Sequence, residues 1–226
     1  MIGVTGKRIS VIGFGKSGRA VTQLLVDKGA KVFVSDLTSD KEISKELQNM
    51  GVEYELGEHT SKITDADFIV LSPGIDSNTG LLSELIQGVL PIYGEIEIAS
   101  WFCKGKIIAV TGSNGKSTTA TLIYKLIKNL GYDAYLAGNI GNPFSSIVDK
   151  TSPDSIVILE LSSFQLETIE SFTPFVSVIL NLTPDHLDRY FTVDDYFDAK
   201  LRIWMNQTIE TFAVINRDDQ NLFNYS

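Results

Sequence analysis

The sequence predicts an α/β protein in two parts: a Rossmann-like amino-terminal domain over 1–93, then a P-loop-type mononucleotide-binding domain over 94–226. Three observations predict it. Short β-rich runs alternate with segments of helical spacing, which implies parallel strands with helices packed on a sheet. Two of the strands run into glycine turns that open helices, GFGKSG and TGSNGKST. A chain of 226 residues is long for one compact domain and comfortable as two.

The elements follow in order. RISVIGF is a β-rich run, GKSG breaks it, and AVTQLLVDKG has helical spacing and a terminal glycine. KVFVSD is the next strand and ends in Asp36, after which Ser39 to Met50 reads as an amphipathic helix closed by Gly51. VEYEL and FIVLSPG supply two more strands, the second stopped by a Pro-Gly turn. After Tyr93, GEIEIASWFC is helical in pattern and KIIAVTG is a buried-type strand leading to TGSNGKST. STTATLIYKLIKNLG is a helix with a glycine stop, and DAYLAG, SIVILEL and FVSVILNL are strands. Val193 to Gln207 reads as helix and TFAVIN as a last strand. No Gly/Ser-rich linker marks the division near 91–95, and the two strand–turn–helix openings differ too much to be a repeat. The polar ending NRDDQNLFNYS stands where an α/β domain would continue with a helix, as if the chain stopped inside a domain.

Composition narrows the function. The chain is 43% hydrophobic and 21% charged, a globular balance with material for buried cores. A formal net charge of -9 argues against broad binding to DNA, RNA or anionic membrane, which needs basic patches. It does not argue against a small anion held by backbone amides. Cys103 is the only cysteine, so no intramolecular disulfide forms, a reducing cytoplasm is expected, and the thiol reads as a small apolar side chain. The amino terminus runs directly into a strand and turn without a signal-peptide pattern, and no apolar run reaches the ~18 residues of a membrane span.

TGSNGKST departs from the commonest phosphate loop, G-x-x-x-x-G-K-[ST], because position 110 is Val110. The physical elements survive. A strand closes at Val110 and Thr111, Gly112 and Gly115 permit tight turns, and a helix opens at Lys116 and Ser117. Unpaired amides and the dipole at a helix start favour an anion. Gly112, Ser113, Asn114, Gly115, Lys116, Ser117 and Thr118 are therefore the expected ATP-binding residues. Lys116 would reach the outer phosphates and the Ser117 hydroxyl would ligate Mg²⁺. The plainer alternative is a glycine-rich turn with an ordinary helix cap.

Glu160 ends the apolar strand SIVILEL, where a carboxylate lines the crevice of an open sheet as a metal ligand or merely faces water at the strand edge. His186 follows another strand and by itself reads as a satisfied structural histidine. His59, in GEHT, reads as a surface-loop residue. Lys200, amid FDAKLRI, reads on its own as a helix lysine extended to solvent.

TGSNGKST, AGNIG, ELSSFQLE, NLTPDHLDRY and FDAKLRI, in that order, resemble the Mur ligase family of peptidoglycan synthesis, and T-G-x-x-G-K-[ST] is that family's own ATP loop. GFGKSG, SPGI and GEIEIA point within it to the branch that adds D-glutamate. The resemblance covers essentially the whole chain. It implies a cytoplasmic, ATP- and Mg²⁺-dependent amide synthesis that joins D-glutamate to UDP-N-acetylmuramoyl-L-alanine through an acyl phosphate, in a monomer that neither binds nucleic acid nor enters a membrane. Carried over, Lys116, His186 and Lys200 are the expected catalytic residues. Ser117, Glu160, His186 and a carbamylated Lys200 are the expected metal ligands.

By the same resemblance the UDP-sugar residues are Gly15, Lys16, Ser17, Asp36 and Gly74, with Asn139 and Ser162 toward the muramoyl-peptide side. Gly13 and Gly18 complete the first turn, although these glycines with Asp36 also fit a dinucleotide such as NAD. The family has a third domain carrying D-glutamate contacts, and an H-N-x-x-N stretch near the adenine; the 226 residues end before both. A fragment retaining UDP-sugar or nucleotide binding without full turnover is therefore expected. A sister ligase adding another amino acid and a non-catalytic nucleotide-sugar module are the alternatives.

Overall fold

The computed structural model describes residues 3–75, 82–84, 90–185 and 189–223. Its chain divides into two compact units, Met1–Trp101 and Phe102–Ser226. Each is a parallel sheet with helices, so the α/β reading and the alternation behind it are borne out.

In the first unit, β1 (Arg8–Ile12), β2 (Lys31–Asp36), β3 (Glu53–Leu56), β4 (Phe68–Leu71) and β5 (Ile92–Gly94) form a sheet ordered β3-β2-β1-β4-β5. Every pairing is parallel. The central strands are buried almost throughout, as apolar runs covered on both faces require. Helix α1 (Lys16–Asp27) turns Gly18, Val21, Thr22, Leu24 and Leu25 inward at helical spacing. Helix α2 (Lys41–Met50) starts where the Asp40 side chain accepts from the Glu42 amide and stops at Gly51, whose φ of 69° is left-handed. Its start lies two residues beyond the expected Ser39 because Asp40 is the better cap.

Two sequence readings shift near the junction. Residues 92–94 are a strand, and helix α3 is only Glu95–Ser100. The unit reaches Trp101 rather than residue 93 for a packing reason. The Trp101 ring meets Phe68 edge-on at 5.9 Å and Tyr93 at 5.2 Å, and its indole N–H donates to Glu97 Oε1 at 2.9 Å.

In the second unit, β6 (Lys106–Thr111), β7 (Ala134–Gly138), β8 (Ile156–Glu160), β9 (Val176–Ile179) and β10 (Phe212–Ile215) are ordered β10-β9-β6-β8-β7, again all parallel. The chain moves to one side of β6 and later to the other, and a ligand crevice belongs at such a reversal, beyond the carboxyl ends of the strands. Helix α4 (Lys116–Asn129) covers one face with Ala120 buried against Val110, Ala134 and Ile158. Helix α5 (Ser163–Leu166) has no counterpart in the sequence reading. Helix α6 (Val193–Leu201) stops earlier than expected and passes into a 3₁₀ turn at Arg202–Trp204. The polar end carries α7 (Gln220–Phe223), which buries Leu222. Among the described residues no helix is long and apolar enough to cross a membrane.

Candidate active site

The second unit gathers the expected phosphate-loop residues at the carboxyl edge of β6. Gly112 has φ 144°, and a Cβ there would meet Leu180 Cβ at 3.1 Å and the Asn181 backbone at 3.3 Å. Glycine is therefore needed both for its dihedral and for the close approach of β6 to β9. Gly115, φ 82°, precedes α4 with no side-chain cap, so the first amides of that helix face outward as general anion donors. The loop is held from β9. Ser113 N–H donates to the Asn181 carbonyl at 3.0 Å, Asn114 N–H to Asn181 Oδ1 at 2.8 Å, and Ser113 Oγ to the Thr183 carbonyl at 2.8 Å. Lys116 folds over the loop, its Nζ donating to the carbonyls of Gly112 and Ser113, each at 2.9 Å. Ser117 and Thr118 are exposed on the first turn.

Glu160 is not a water-facing edge residue. It is 1% exposed at the end of β8, in register with Val110 of β6 on one side and Gly138 of β7 on the other. Asn139 grips it twice, its backbone N–H donating to the Glu160 carbonyl and its Nδ2 to Oε1, both at 2.8 Å. A Cβ on Gly138 would lie 2.3 Å from the Glu160 carbonyl, so only glycine lets the two strand ends close this tightly. Glu160 Oε2 is buried and has no hydrogen-bond partner among the described residues. A carboxylate oxygen in that state is costly unless a cation meets it. An oxygen donor of that kind fits a hard divalent cation, and Ser117 stands on the first turn of the helix that follows β6. Among the described residues no three His, Cys, Asp or Glu side chains cluster as a ready-made metal site. His186 lies outside the described residues.

Lys200 does not extend to solvent. It is 1% exposed on α6 with its Nζ 4.5 Å from the centroid of the Tyr196 ring. Burial, then the nearby Lys116 cation, push its pKa down to about 7, against a smaller opposing pull from Asp185. Tyr196, fully buried, donates from its hydroxyl to Ser113 Oγ at 3.2 Å and thereby ties α6 to the loop. Sequence reasoning passed over Tyr196, although FDAKLRI begins immediately after it. It also missed Glu167, which receives Arg189 at 2.9 Å and the Tyr190 hydroxyl on its two oxygens. Ser162, expected near the substrate, caps α5 in a reciprocal pair with Gln165.

The first unit presents the other glycine turn. Gly13 has φ 87°, and a Cβ on Gly18 would fall 1.9 Å from the Gly13 carbonyl, so α1 sits directly on the turn only because Gly18 has no side chain. Among the described residues nothing lies within 4 Å of a Cβ built on Gly15 or Gly74, and Lys16 is exposed. Asp36 accepts from the Phe14 N–H at 2.5 Å and the Thr38 N–H at 2.7 Å. Burial raises its pKa, but those bonds and the proximity of His59 outweigh it and hold the carboxyl below its usual range. His59 is half-buried rather than a free surface residue, its Nδ1 lying 2.7 Å from Ser35 Oγ.

Residues 110–226 match the Mur ligase middle domain and residues 8–81 the MurD N-terminal domain. The UDP-N-acetylmuramoylalanine–D-glutamate ligase of Chloroherpeton thalassium is 44% identical over 97% of this chain and 48% of its own length. That of Pelodictyon phaeoclathratiforme is 47% identical over 95% of this chain and 47% of its own. The chain thus spans about half the length of the curated relatives it matches. Among solved structures, the UDP-N-acetylmuramate:L-alanyl-γ-D-glutamyl-meso-diaminopimelate ligase of Neisseria meningitides shares the fold with TM-score 0.61 and 17% identity, covering 97% of this chain and 74% of that one. The UDP-N-acetylmuramate-alanine ligase of Thermotoga maritima gives 0.55 at 20% identity, over 95% and 50%.

Proposed function

Because the chain belongs to the Mur ligase family, we propose that it supplies the nucleotide-sugar and ATP sites of an enzyme joining D-glutamate to UDP-N-acetylmuramoyl-L-alanine in the cytoplasm. The relatives at 44% and 47% identity bear that name, which supports D-glutamate over the amino acids of sister ligases. The match of residues 8–81 to the MurD N-terminal domain favours a UDP-sugar over the dinucleotide that glycine spacing left open.

A free carboxylate is a poor acyl donor. In the proposed reaction a carboxylate oxygen of the alanyl end attacks the γ-phosphorus of ATP and ADP leaves. The D-glutamate nitrogen then attacks the acyl carbon, loses a proton, and expels phosphate. The α4 amides and Lys116 hold the β- and γ-phosphates, and Lys116 would exchange its two loop carbonyls for phosphate oxygens. Mg²⁺, when bound, neutralises charge developing on the transferred phosphoryl group. Ser117, Glu160 and His186 are its proposed ligands, and the partnerless Glu160 Oε2 is the observation that carries this reading. Lys200, substantially neutral near pH 7, is in the form that captures CO₂ and releases a proton to become an anionic oxygen ligand. Asn139 contacts Glu160, which supports a role beside the metal as well as toward the muramoyl peptide.

Calorimetry on the 226-residue chain tests the assignment. Mg²⁺-ATP and UDP-N-acetylmuramoyl-L-alanine should each bind, and omission of Mg²⁺ or Glu160→Gln should weaken ATP alone. ATP affinity indifferent to both would defeat the reading.

A further inference from the structure

Outside the phosphate loop, a polar network lies at the carboxyl ends of β2 and β3. Glu55 accepts three hydrogen bonds: from Ser35 Oγ at 2.7 Å, from Thr60 N–H at 2.9 Å and from Thr60 Oγ1 at 2.6 Å. An oxygen pair receiving three donors is an ionised carboxylate and has no proton to give. Burial opposes ionisation, but the bonds from Thr60 and Ser35 hold the pKa below its usual value.

Ser35 has one hydroxyl proton, and that proton goes to Glu55. Its remaining contact, 2.7 Å to His59 Nδ1, must therefore be one in which the histidine donates. The neutral ring thus carries its proton on Nδ1 and a lone pair on Nε2. Ser35 is fully buried, so the Nδ1 edge of this half-buried ring faces the interior. His59 also lies within electrostatic reach of Asp36, whose carboxylate holds the Phe14 amide of the glycine turn. A hydrogen-bond acceptor of fixed tautomer therefore stands beside the turn expected to hold the UDP moiety.

We propose that His59 is a specificity residue of this nucleotide site, its Nε2 accepting a hydrogen bond from a donor of the uridine nucleoside. Uridine offers two kinds of donor, the ribose hydroxyls and the imide N3–H. Asp36 already spends one lone pair of each oxygen on a backbone amide, and His59 adds a further acceptor beside it. The inference rests on the first unit binding a uridine nucleotide.

The test uses UDP, 2′-deoxy-UDP, 3′-deoxy-UDP and N3-methyl-UDP, titrated by calorimetry into the chain and two variants. Asparagine places its amide nitrogen near Nδ1 and has nothing at Nε2; glutamine places an acceptor near Nε2. His59→Asn therefore keeps the Ser35 contact and loses the ligand contact, whereas His59→Gln does the reverse. Wild type should bind one analogue about three- to tenfold more weakly than UDP, the span of one net hydrogen bond. His59→Gln should retain that discrimination and His59→Asn should lose it, and the analogue concerned identifies the donor as ribose or base. The opposite pattern, Asn behaving as wild type and Gln impaired, would assign His59 a purely structural role and overturn the proposal. So would equal discrimination in all three proteins. If wild type shows no saturable UDP binding, the nucleotide-sugar reading of the first unit itself fails and takes this inference with it.

Discussion

The two glycine turns look alike in sequence and differ in what surrounds them. Both close a central parallel strand and open a helix, yet the sheets are ordered β3-β2-β1-β4-β5 and β10-β9-β6-β8-β7. Around the first turn Lys16 is exposed, Asp36 takes the Phe14 amide, and Glu55 and His59 stand behind it. Around the second the charges are Lys116, folded onto loop carbonyls, and Glu160, buried with one oxygen unmet among the described residues. A site of carboxylate and imidazole acceptors suits the donors of a nucleoside. A site pairing a cation with a buried anion suits a triphosphate carrying a metal. The lesson is that glycine marks where a backbone comes close to something, while the neighbouring side chains decide what that is.

The largest way to break the comparison is steric. In Gly18→Ala the new Cβ would lie 1.9 Å from the Gly13 carbonyl, a backbone atom that cannot step aside. We expect about 3 kcal/mol lost from the first unit by overpacking, read as a lower melting temperature with UDP binding lost and ATP binding kept. Gly15→Ala sharpens the point, because no described residue lies within 4 Å of its Cβ. It should leave melting unchanged and weaken UDP binding alone. Next in size is Lys116→Ala. A charged donor to phosphate is worth roughly 2 kcal/mol, so ATP affinity should fall about 30-fold. UDP affinity should not move; parallel loss of both ligands would erase the division of labour between the turns.

Much of this architecture was legible because central parallel strands are near-continuous apolar runs, as in KIIAVT and IVILE. Short elements were not. Ile92–Gly94 and Ser163–Leu166 are three and four residues long, too few for any periodicity to register. The phosphate loop was legible as local spacing. What escaped were partnerships across the chain: Asn139 with Glu160 spans 21 residues, His59 with Ser35 spans 24, and Tyr196 with Ser113 spans 83. Those pairs follow from which strands end side by side. Strand order is set by tertiary packing, so a histidine in GEHT and a lysine in FDAKLRI both read as solvent-facing until their neighbours were known.

Asn139→Ala probes a smaller term. The amide fixes Glu160 Oε1 and leaves Oε2 for a cation. Loss of a residue that orients a metal ligand costs about tenfold or more in metal affinity. Mn²⁺ binding in the presence of ADP, followed by electron paramagnetic resonance, should weaken by that factor while metal-free ADP binding stays level. Equal Mn²⁺ affinity in variant and wild type would mean that Asn139 serves only strand closure or the muramoyl peptide.

The smallest effect is a pH dependence confined to the first unit. Burial pushes the His59 pKa below its ordinary value of 6.5, against the raising influence of Glu55 and Asp36. The imidazole is thus neutral at pH 7, and any stability linked to the neutral form is present above the unfolded value and lost as pH falls through the lower folded one. Protonation turns Nε2 from acceptor into donor, so UDP-sugar affinity should be flat above about pH 6.5 and decline below it. A UDP-hexose is the right probe because its diphosphate diester does not titrate in that range. His59→Gln has no proton to gain there, and its affinity should stay level. His59 is thus the group whose removal should flatten the profile; an equally steep acid decline in His59→Gln would place the titrating group elsewhere and strip the first turn of its proposed reader.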